Sequence, residues 1–414
     1  MKIRRCWMVM VLCWIAAWAA GAGEKASAAP NHPQTIGLHY ISTSFENASP
    51  LYWEIGADGI VHAYFVYDYE RDSTNRANGH WHFQIQGEKG ADITFMLHNF
   101  INVWNGKVGV PVSEKSICFL SKDGKEWDVI PTEFVDGEKV KFTVHMEQES
   151  MYAARLEPYR ISDLEAFLKE ICRHPLVEIK EIGHTAEGRM LEMIRAGDPD
   201  APYRVFLRAR SHPWEPGGNW VVQGLIRRLL KDDEAARRYR ERFCVYVMPM
   251  ANKDGVARGR TRFNSHGMDL NRKWDQPADP ELCPENHALE SWLEAMIEHG
   301  KRPHLAIDFH NDEGGRMHIS RPNIQLETYL KRMKRLENLM REHTWFTEGA
   351  TGGSFRNPGT IGEGFLERFG VDAIVQELNC NWIEGLKKEP MGEDWELLGE
   401  QYCEVFYRYF EDYE

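Results

Sequence analysis

The sequence predicts two domains of different fold class, an antiparallel β-sandwich followed by an α/β domain with a mixed central sheet. Short segments of alternating polarity, separated by Gly and Asp turns, fill the first part of the chain. After residue 160 helical and strand patterns interleave, which indicates helices packed on a largely parallel or mixed sheet. We therefore place the β-sandwich domain at residues 31–155 and the α/β domain at residues 156–414.

The β-sandwich domain is predicted from short apolar segments with turn material between them. These segments lie at 60–67, 81–86, 93–100, 116–120, 127–131 and 140–145. A His-Trp-His sequence places His80 and His82 on one face of a strand, because side chains two residues apart share a face. Two interpretations stay open for this pair: polar side chains exposed on a strand, or two ligands of a metal ion.

The α/β domain is predicted from compact apolar strands that alternate with amphipathic helices. The first helix, 161–172, has Ser162 as its predicted N-cap and acidic residues in its first turn. Further helices are predicted at 220–231, 285–299, 326–342 and 395–409. Strands are predicted at 203–208, 243–249, 305–309 and 373–376.

Residues 1–28 have the pattern of an export signal. Three basic residues, Lys2, Arg4 and Arg5, precede an apolar run at 6–20, and small residues occupy a cleavage site that ends at Ala28. The alternative is an uncleaved N-terminal anchor, for which the apolar run is short. We therefore expect a periplasmic or secreted protein with no membrane insertion after the signal is removed.

Composition excludes several classes of function. The 414 residues carry 63 acidic and 50 basic side chains, a formal net charge of −13, and 43% of them are hydrophobic. Such a chain forms a globular core and has no diffuse attraction to nucleic acid or anionic lipid, since both need a cationic face. The six cysteines that follow the signal are expected to be mainly buried thiols. The alternative is that one or two disulfide bridges form among them, since an exported protein meets an oxidising environment.

A zinc site is predicted where two strands of the α/β domain end. His212 and Glu215 follow the strand at 203–208, and His310 follows the strand at 305–309. Two imidazoles and one carboxylate are a common three-ligand set for zinc, and ligands usually bind at the carboxyl ends of strands in an open α/β sheet. Two further copies of the H-x-x-E spacing, at 184–187 and 287–290, lack such a setting, so chance explains them.

Further motifs downstream carry a resemblance to a known family. The chain resembles the funnelin-type zinc metallocarboxypeptidases, specifically their cytosolic-carboxypeptidase-like branch. That branch has patterns similar to H-P-x-E, N-P-D-G-V, G-x-x-R and D-L-N-R-x-W. In this sequence the matching segments lie at 212–215, 252–256, 259–262 and 269–274, and a carboxylate, Glu377, follows near the end of a strand.

The resemblance implies an α/β zinc carboxypeptidase domain with one zinc ion on the three predicted ligands. Glu377 would be the general base for a zinc-activated water and would then protonate the leaving amine. Arg262 would polarise the scissile carbonyl and stabilise the oxyanion, and Asn271 and Arg272 would hold the C-terminal carboxylate of a peptide or peptide-like substrate. We therefore expect a metallocarboxypeptidase that removes the C-terminal residue of peptides.

The sequence departs from the family at several positions, and alternatives stay open. Lys253 stands where many relatives have Pro, and the tyrosine of digestive-type relatives has no clear counterpart. Phe355 and Thr360 are candidates for lining the specificity pocket, and Arg356 is a candidate for attracting an acidic side chain. The alternatives for function are an amidase or carboxypeptidase acting on cell-wall peptides or γ-linked side chains, and a non-catalytic protein that binds peptides.

Overall fold

The fold is described from a computed structural model of the chain. The predicted export signal and two pocket candidates, Phe355 and Arg356, lie outside the described residues. These residues are 36–71, 73, 75–104, 106–351, 359–411 and 413.

The N-terminal domain is strand-rich and contains two five-stranded sheets that share one core. The sheet orders are β1-β5-β13-β9-β10 and β11-β12-β6-β3-β2, and a small three-stranded sheet has the order β4-β7-β8. Neighbouring strands are antiparallel except β3 and β6, which are parallel. The strands are β1 (Leu38–Ser42), β2 (Leu51–Ile55), β3 (Val61–Phe65), β4 (Arg76–Ala77), β5 (His82–Gly87), β6 (Asp92–His98), β7 (Asn102–Trp104), β8 (Lys107–Gly109), β9 (Ile117–Ser121), β10 (Asp128–Pro131), β11 (Glu133–Val135), β12 (Lys139–His145) and β13 (Ser150–Ala154).

Alternating apolar residues build the core between the two large sheets. Phe83 and Ile85 of β5 point inward from one sheet, and Phe95 and Leu97 of β6 point inward from the other; all four are fully buried. The predicted antiparallel strand-rich domain is therefore confirmed. The parallel β3–β6 pair arises because the chain crosses to β5 in the first sheet before it returns.

The two histidines of the His-Trp-His sequence are not exposed polar side chains, as one interpretation had them. His80 and His82 are both buried, and both rings contact Asn47: His80 Nε2 lies 3.1 Å from the Asn47 carbonyl and His82 Nδ1 lies 3.2 Å from Asn47 Oδ1. Burial lowers the pKa of His80 to about 4, so its ring is neutral. Neither histidine belongs to a metal-binding cluster among the described residues.

The α/β domain is built on a seven-stranded mixed sheet with the order β14-β15-β17-β16-β18-β20-β19. The four strands from β17 to β20 in that order are parallel, and β14, β15 and β19 pair antiparallel. The strands are β14 (Val177–His184), β15 (Met190–Ala196), β16 (Tyr203–Ala209), β17 (Phe243–Met248), β18 (Leu305–Asp312), β19 (Met317–His318) and β20 (Asp372–Asn379).

Helices cover the sheet on both faces. One buried cluster joins the sheet to α1, α2, α6 and α8, and a second joins it to α5 and α7. The helices are α1 (Ile161–Ile171), α2 (Gly217–Leu230), α3 (Glu234–Arg242), α4 (Lys253–Ala257), α5 (Pro284–Glu298), α6 (Leu326–His343), α7 (Ile361–Phe369) and α8 (Gly392–Tyr409). The predicted mixed α/β sheet is thus confirmed, and the antiparallel pair β14–β15 is an addition that the sequence reading missed.

The cap of α1 differs from the prediction. The helix begins at Ile161, so Ser162 lies inside it, and the N-cap position is Arg160. The free backbone N–H groups of Ile161 and Ser162 donate instead to Glu46 Oε1, at 2.5 and 3.2 Å. Because Glu46 comes from the N-terminal domain, a carboxylate distant in sequence satisfies this helix end.

The six cysteines of the described residues are all unpaired. Cys172 is exposed, and the other five are buried thiols, as expected for most of them. Across the described ranges, no helix combines the length and the apolar character that a bilayer crossing requires.

Two glycines allow α2 and α8 to pack backbone against backbone. A Cβ built on Gly224 of α2 would overlap the main chain at Glu396, and a Cβ on Gly399 of α8 would overlap the Val221 carbonyl. Ridge-and-groove packing normally keeps side chains between two helices, so this crossing tolerates only glycine. The α2–α8 pair therefore supports the face of the sheet opposite α5 and α7.

We expect Gly399→Ala to lower the free energy of unfolding by about 1–3 kcal/mol, because the added methyl group forces the helices apart. On an open helix face the same change would stabilise by roughly 1 kcal/mol through helix propensity. Gly109→Ala is the control, since a Cβ there meets no atom within 4 Å. Urea unfolding monitored by circular dichroism measures both variants, and a Gly399→Ala protein as stable as the parent would contradict the proposed contact.

Candidate metal centre and active site

Three side chains converge at the carboxyl ends of β16 and β18. His212 and Glu215 lie in the loop that follows β16, and His310 lies on β18. His212 Nδ1 is 2.9 Å from Glu215 Oε1, His310 Nδ1 is 2.8 Å from Glu215 Oε2, and the two Nδ1 atoms are 3.1 Å apart. All three residues are buried, so the structure brings the three predicted metal ligands into one cluster.

The donor atoms of this cluster suit a zinc ion. The other ring nitrogen of each histidine donates to a carboxylate: His212 Nε2 to Asp269 at 3.2 Å, and His310 Nε2 to Asp308 at 2.8 Å. Each Nδ1 therefore faces the Glu215 carboxylate, and carboxylates in the position of Asp269 and Asp308 orient histidine ligands. Burial alone would raise the pKa of Glu215, but positive charge on the two imidazoles lowers it to about 2, so this carboxylate is ionised. Burial lowers the pKa of His310, yet Asp308 and Glu215 outweigh it and raise that pKa well above 6.5, so a zinc ion would displace the Nδ1 proton. The donor set fits zinc.

Each aspartate that accepts from a ligand histidine also accepts hydrogen bonds from a buried arginine. Arg208 on β16 lies opposite Asp308 on β18 and donates to it through Nε and Nη2, at 2.8 and 2.7 Å. Arg262 donates through Nε to Asp269 at 2.9 Å. Burial would raise the pKa of both aspartates, yet the guanidiniums hold each well below its usual range. The sequence reading missed both aspartates, although Asp308 stands two residues before His310 and hence on the same face of the strand.

The loop that carries His212 is shaped by the segment at 252–255. Asn252 Nδ2 donates to the Ser211 carbonyl at 3.3 Å, and its Oδ1 accepts from Gly255 N at 3.0 Å. Lys253, which stands where many relatives have Pro, forms a buried ion pair with Glu192 at 2.5 Å. The departure from the family pattern therefore replaces a rigid residue with a charge pair that anchors the loop to β15.

Glu377 lies beside the metal cluster on the neighbouring strand. Its partner in the parallel register of β18 and β20 is His310, so both side chains emerge at the same level of the sheet. Burial, followed by the negative charge of Asp312, raises the pKa of Glu377 well above its usual 4.5. The side chain faces a cleft and its Oε2 atom has no hydrogen-bond partner among the described residues.

The other predicted substrate-binding residues surround the same cleft. Asn271 Oδ1 accepts from the backbone N–H of Ile361 at 3.1 Å, which fixes the amide. Arg272 donates through Nη1 to the Asn271 carbonyl at 2.7 Å, while its Nη2 has no hydrogen-bond partner in the described part of the chain. The cleft has a volume of about 410 Å³ and is lined by His212, Glu215, Arg262, Asn271, Arg272 and Glu377, among others.

The N-terminal domain forms part of the cleft wall, which the sequence reading did not foresee. Ala77, Asn102 and Trp104 of the small sheet line the cleft together with Val110 and Pro111. These residues follow no motif, and only the docking of the two domains brings them to the site.

Three further glutamates of the α/β domain lie elsewhere, and one of them, Glu187, belongs to an extra H-x-x-E copy. Glu363 is buried in α7. Glu367 accepts from the backbone N–H of Asn323 at 2.6 Å, and Glu187 pairs with Arg189 and Arg258. None of these three lines the cleft.

Thr360 is the one specificity-pocket candidate within the described residues. It lines a small recess of about 60 Å³ beside the cleft, together with His318, Ser320 and Val375. The same recess is bordered by Arg272, so a group bound to that guanidinium would lie at its mouth.

Two family models match the chain. The model described as zinc carboxypeptidase matches residues 164–310, and the model described as cytosolic carboxypeptidase N-terminal domain matches residues 62–156. The first of these matches contains the three clustered ligands, and the second runs from residue 62, within β3, to just past the end of β13.

Curated relatives match parts of the chain. An uncharacterized protein of Zymomonas mobilis is 27% identical over 199 residues, which is 45% of this chain and 51% of that protein. Cytosolic carboxypeptidase 4 of Homo sapiens is 35% identical over 136 residues, or 33% of this chain and 12% of that protein. The chain therefore spans about half of the bacterial relative and a small part of the human one.

Solved structures share the fold across both domains. A metallo-carboxypeptidase from Burkholderia cenocepacia has a TM-score of 0.75 and 22% identity, covering 89% of this chain and 98% of that one. A metallo-carboxypeptidase from Pseudomonas aeruginosa, solved with (2-guanidinoethylmercapto)succinic acid, has a TM-score of 0.76 and 21% identity over the same shares. The chain therefore contains a zinc carboxypeptidase domain region at residues 164–310, preceded at residues 62–156 by a region of the cytosolic carboxypeptidase N-terminal domain.

Proposed function

We propose that this protein is a zinc-dependent metallocarboxypeptidase that hydrolyses the C-terminal residue of peptides. The observation that carries the proposal is the pairing of His310 with Glu377 on adjacent parallel strands. This pairing sets a carboxyl group of raised pKa beside a buried cluster of His and Glu ligands, at the base of a cleft that also contains two arginines.

One zinc ion would be held by His212, Glu215 and His310. When bound, zinc supplies Lewis acidity, which polarises a carbonyl and lowers the pKa of a coordinated water from about 16 to about 7. Three protein ligands are the number typical of catalytic zinc sites, which keep one position open.

Glu377 is the proposed general base. A carboxyl whose pKa is raised by burial accepts a proton more readily than an exposed one, and it can return that proton to a leaving amine. The unpartnered Oε2 atom faces the cleft, where an attacking water would lie. Proton shuttling of this kind typically contributes about 10²–10⁴-fold to the rate.

Arg262 is the proposed electrostatic partner of the scissile carbonyl. Its Nε and Nη2 atoms lie 2.9 and 2.7 Å from Asp269 Oδ2, which holds the guanidinium at the cleft wall. A positive charge fixed in advance stabilises negative charge as it develops on the carbonyl oxygen, without reorganisation during the reaction.

Asn271 and Arg272 are proposed to bind the terminal carboxylate. A guanidinium binds a carboxylate through two parallel hydrogen bonds, and Arg272 keeps Nη2 available for this purpose. Recognition of a free carboxylate would make the enzyme exo-acting. The protein is acidic overall, and four carboxylates line the cleft beside Arg262 and Arg272, so attraction of a substrate carboxylate is local to the two guanidiniums.

Export to the periplasm or the exterior is proposed from the basic and apolar pattern of residues 1–28. We expect the intact mass of protein recovered from the periplasmic or extracellular fraction to lack these residues. Recovery in the membrane fraction with the N-terminus intact would indicate the anchor instead, and full-length protein in the cytoplasm would contradict export.

The test of the proposed function combines metal analysis with a peptide library. We expect about one zinc ion per chain, and release of single C-terminal amino acids from peptides with varied termini, measured by mass spectrometry. Chelation should abolish release, and peptides with an amidated terminus should resist it. The library includes cell-wall stem peptides and γ-linked peptides, so cleavage confined to those would favour the alternative hydrolase.

Two outcomes of that test would contradict the exopeptidase. Internal fragments in place of single residues would show endopeptidase cleavage. Zinc binding and peptide binding without turnover would instead favour the non-catalytic alternative.

We expect Glu377→Gln to lower kcat by about 10²–10⁴-fold, because the amide cannot accept the proton. Zinc content should not change, since Glu377 is not one of the three ligands. Glu367→Gln is the control, because Glu367 bonds to Asn323 away from the cleft. Steady-state kinetics and metal analysis measure both variants; an active Glu377→Gln enzyme would remove this residue from the mechanism.

A further inference from the structure

One aromatic side chain of the N-terminal domain contacts both cleft arginines. The indole of Trp104, on β7, lies 5.7 Å from the guanidinium carbon of Arg262 and 5.5 Å from that of Arg272, measured to the ring centroid. Both distances lie within the range of cation–π attraction, for which Trp is the strongest partner. One ring therefore borders the two cationic groups that are proposed to act on the substrate.

The N-terminal domain is fixed against the segment that carries Arg262. The carboxylate of Asp68 accepts the consecutive backbone N–H groups of Thr261, Arg262 and Phe263, at 3.1, 2.6 and 3.1 Å. Such a concave run of amides binds anions, and here a side chain of the other domain occupies it. A second link is the bond from Arg71 N to the Gly267 carbonyl, at 2.9 Å. These bonds therefore hold the sandwich domain against the segment that contains Arg262 and Arg272.

Part of the Trp104 side chain stays exposed beside these contacts. The side chain is 45% exposed although it borders both the 410 Å³ cleft and the 60 Å³ recess near Thr360. Large exposed aromatic rings are costly to leave in water, and Trp is enriched among residues that contribute most to binding. The exposed part of the ring is thus available at the mouth of the recess, next to the guanidinium of Arg272.

We propose that Trp104 is a specificity-determining residue supplied by the N-terminal domain, and that its indole packs against the C-terminal residue of the peptide bound by Arg272. This inference rests on the proposed carboxypeptidase function. It gives the sandwich domain a direct part in substrate binding. It predicts an effect on affinity with little effect on the chemical step, because Trp104 is not one of the groups proposed to hold the metal or to transfer the proton, and its ring contacts the two arginines.

The test measures binding separately from turnover. In a Glu377→Gln background, which keeps the peptide intact, we expect Trp104→Ala to raise the Kd of a substrate peptide by about tenfold or more. In the active enzyme the same change should raise KM by a similar factor while kcat changes less than about twofold. Trp104→Phe should restore most of the affinity, since it keeps an apolar aromatic face. Isothermal titration and steady-state kinetics supply the two readouts.

Tyr52→Ala is the matched control, because Tyr52 is another exposed aromatic residue of the N-terminal domain, 58% exposed, and is not among the cleft-lining residues. An unchanged Kd and KM for Trp104→Ala, or an equal effect from Tyr52→Ala, would overturn the inference. A loss of kcat alone would also overturn it, since that would indicate disturbance of Arg262. Failure of the parent enzyme to release any residue would instead count against the proposed function itself.

Discussion

The parallel pairing of β18 with its two neighbours is the constraint on which the active site depends. On one side the register places Arg208 opposite Asp308, and on the other it places His310 opposite Glu377. A slip by one residue would turn all of these side chains to the other face of the sheet. The buried Arg208–Asp308 pair resists such a slip, because separating one partner of a buried ion pair costs about 3–5 kcal/mol. A single register therefore fixes a metal ligand, its outer carboxylate and the proposed base.

The charged groups of the site form two hydrogen-bonded triads, each of which joins an arginine to an aspartate and the aspartate to a histidine. Arg208, Asp308 and His310 form one, and Arg262, Asp269 and His212 form the other. Each aspartate is buried and ionised, so it can be tolerated only because the arginine neutralises it. The two sets differ in whether the arginine reaches the cleft. Arg208 is fully buried, whereas Arg262 borders the cleft, so the same arrangement is structural in one case and is proposed to act on the substrate in the other.

The sequence predicted the parts of the molecule that local pattern encodes. The two fold classes and the convergence of His212, Glu215 and His310 follow from strand periodicity, because the residues after neighbouring parallel strands meet at one edge of the sheet. Errors arose where a distant residue decides the outcome. Glu46 takes the capping role predicted for Ser162 at the start of α1, and Asn47 lies within hydrogen-bond distance of both buried rings of the His-Trp-His sequence. No spacing rule along the chain records such contacts between residues that are distant in sequence.

The small sheet of the N-terminal domain shows why part of the active site was not predictable from motifs. Trp104 lies in none of the sequence motifs. Its proposed role depends on the hydrogen bonds between Asp68 and the three backbone amides at 261–263. That anchor requires the sandwich domain to fold and dock before the cleft wall is complete. The metal ligands, in contrast, all come from the α/β domain. The α/β domain thus supplies the proposed metal ligands and general base, and the sandwich domain supplies part of the proposed substrate-binding wall.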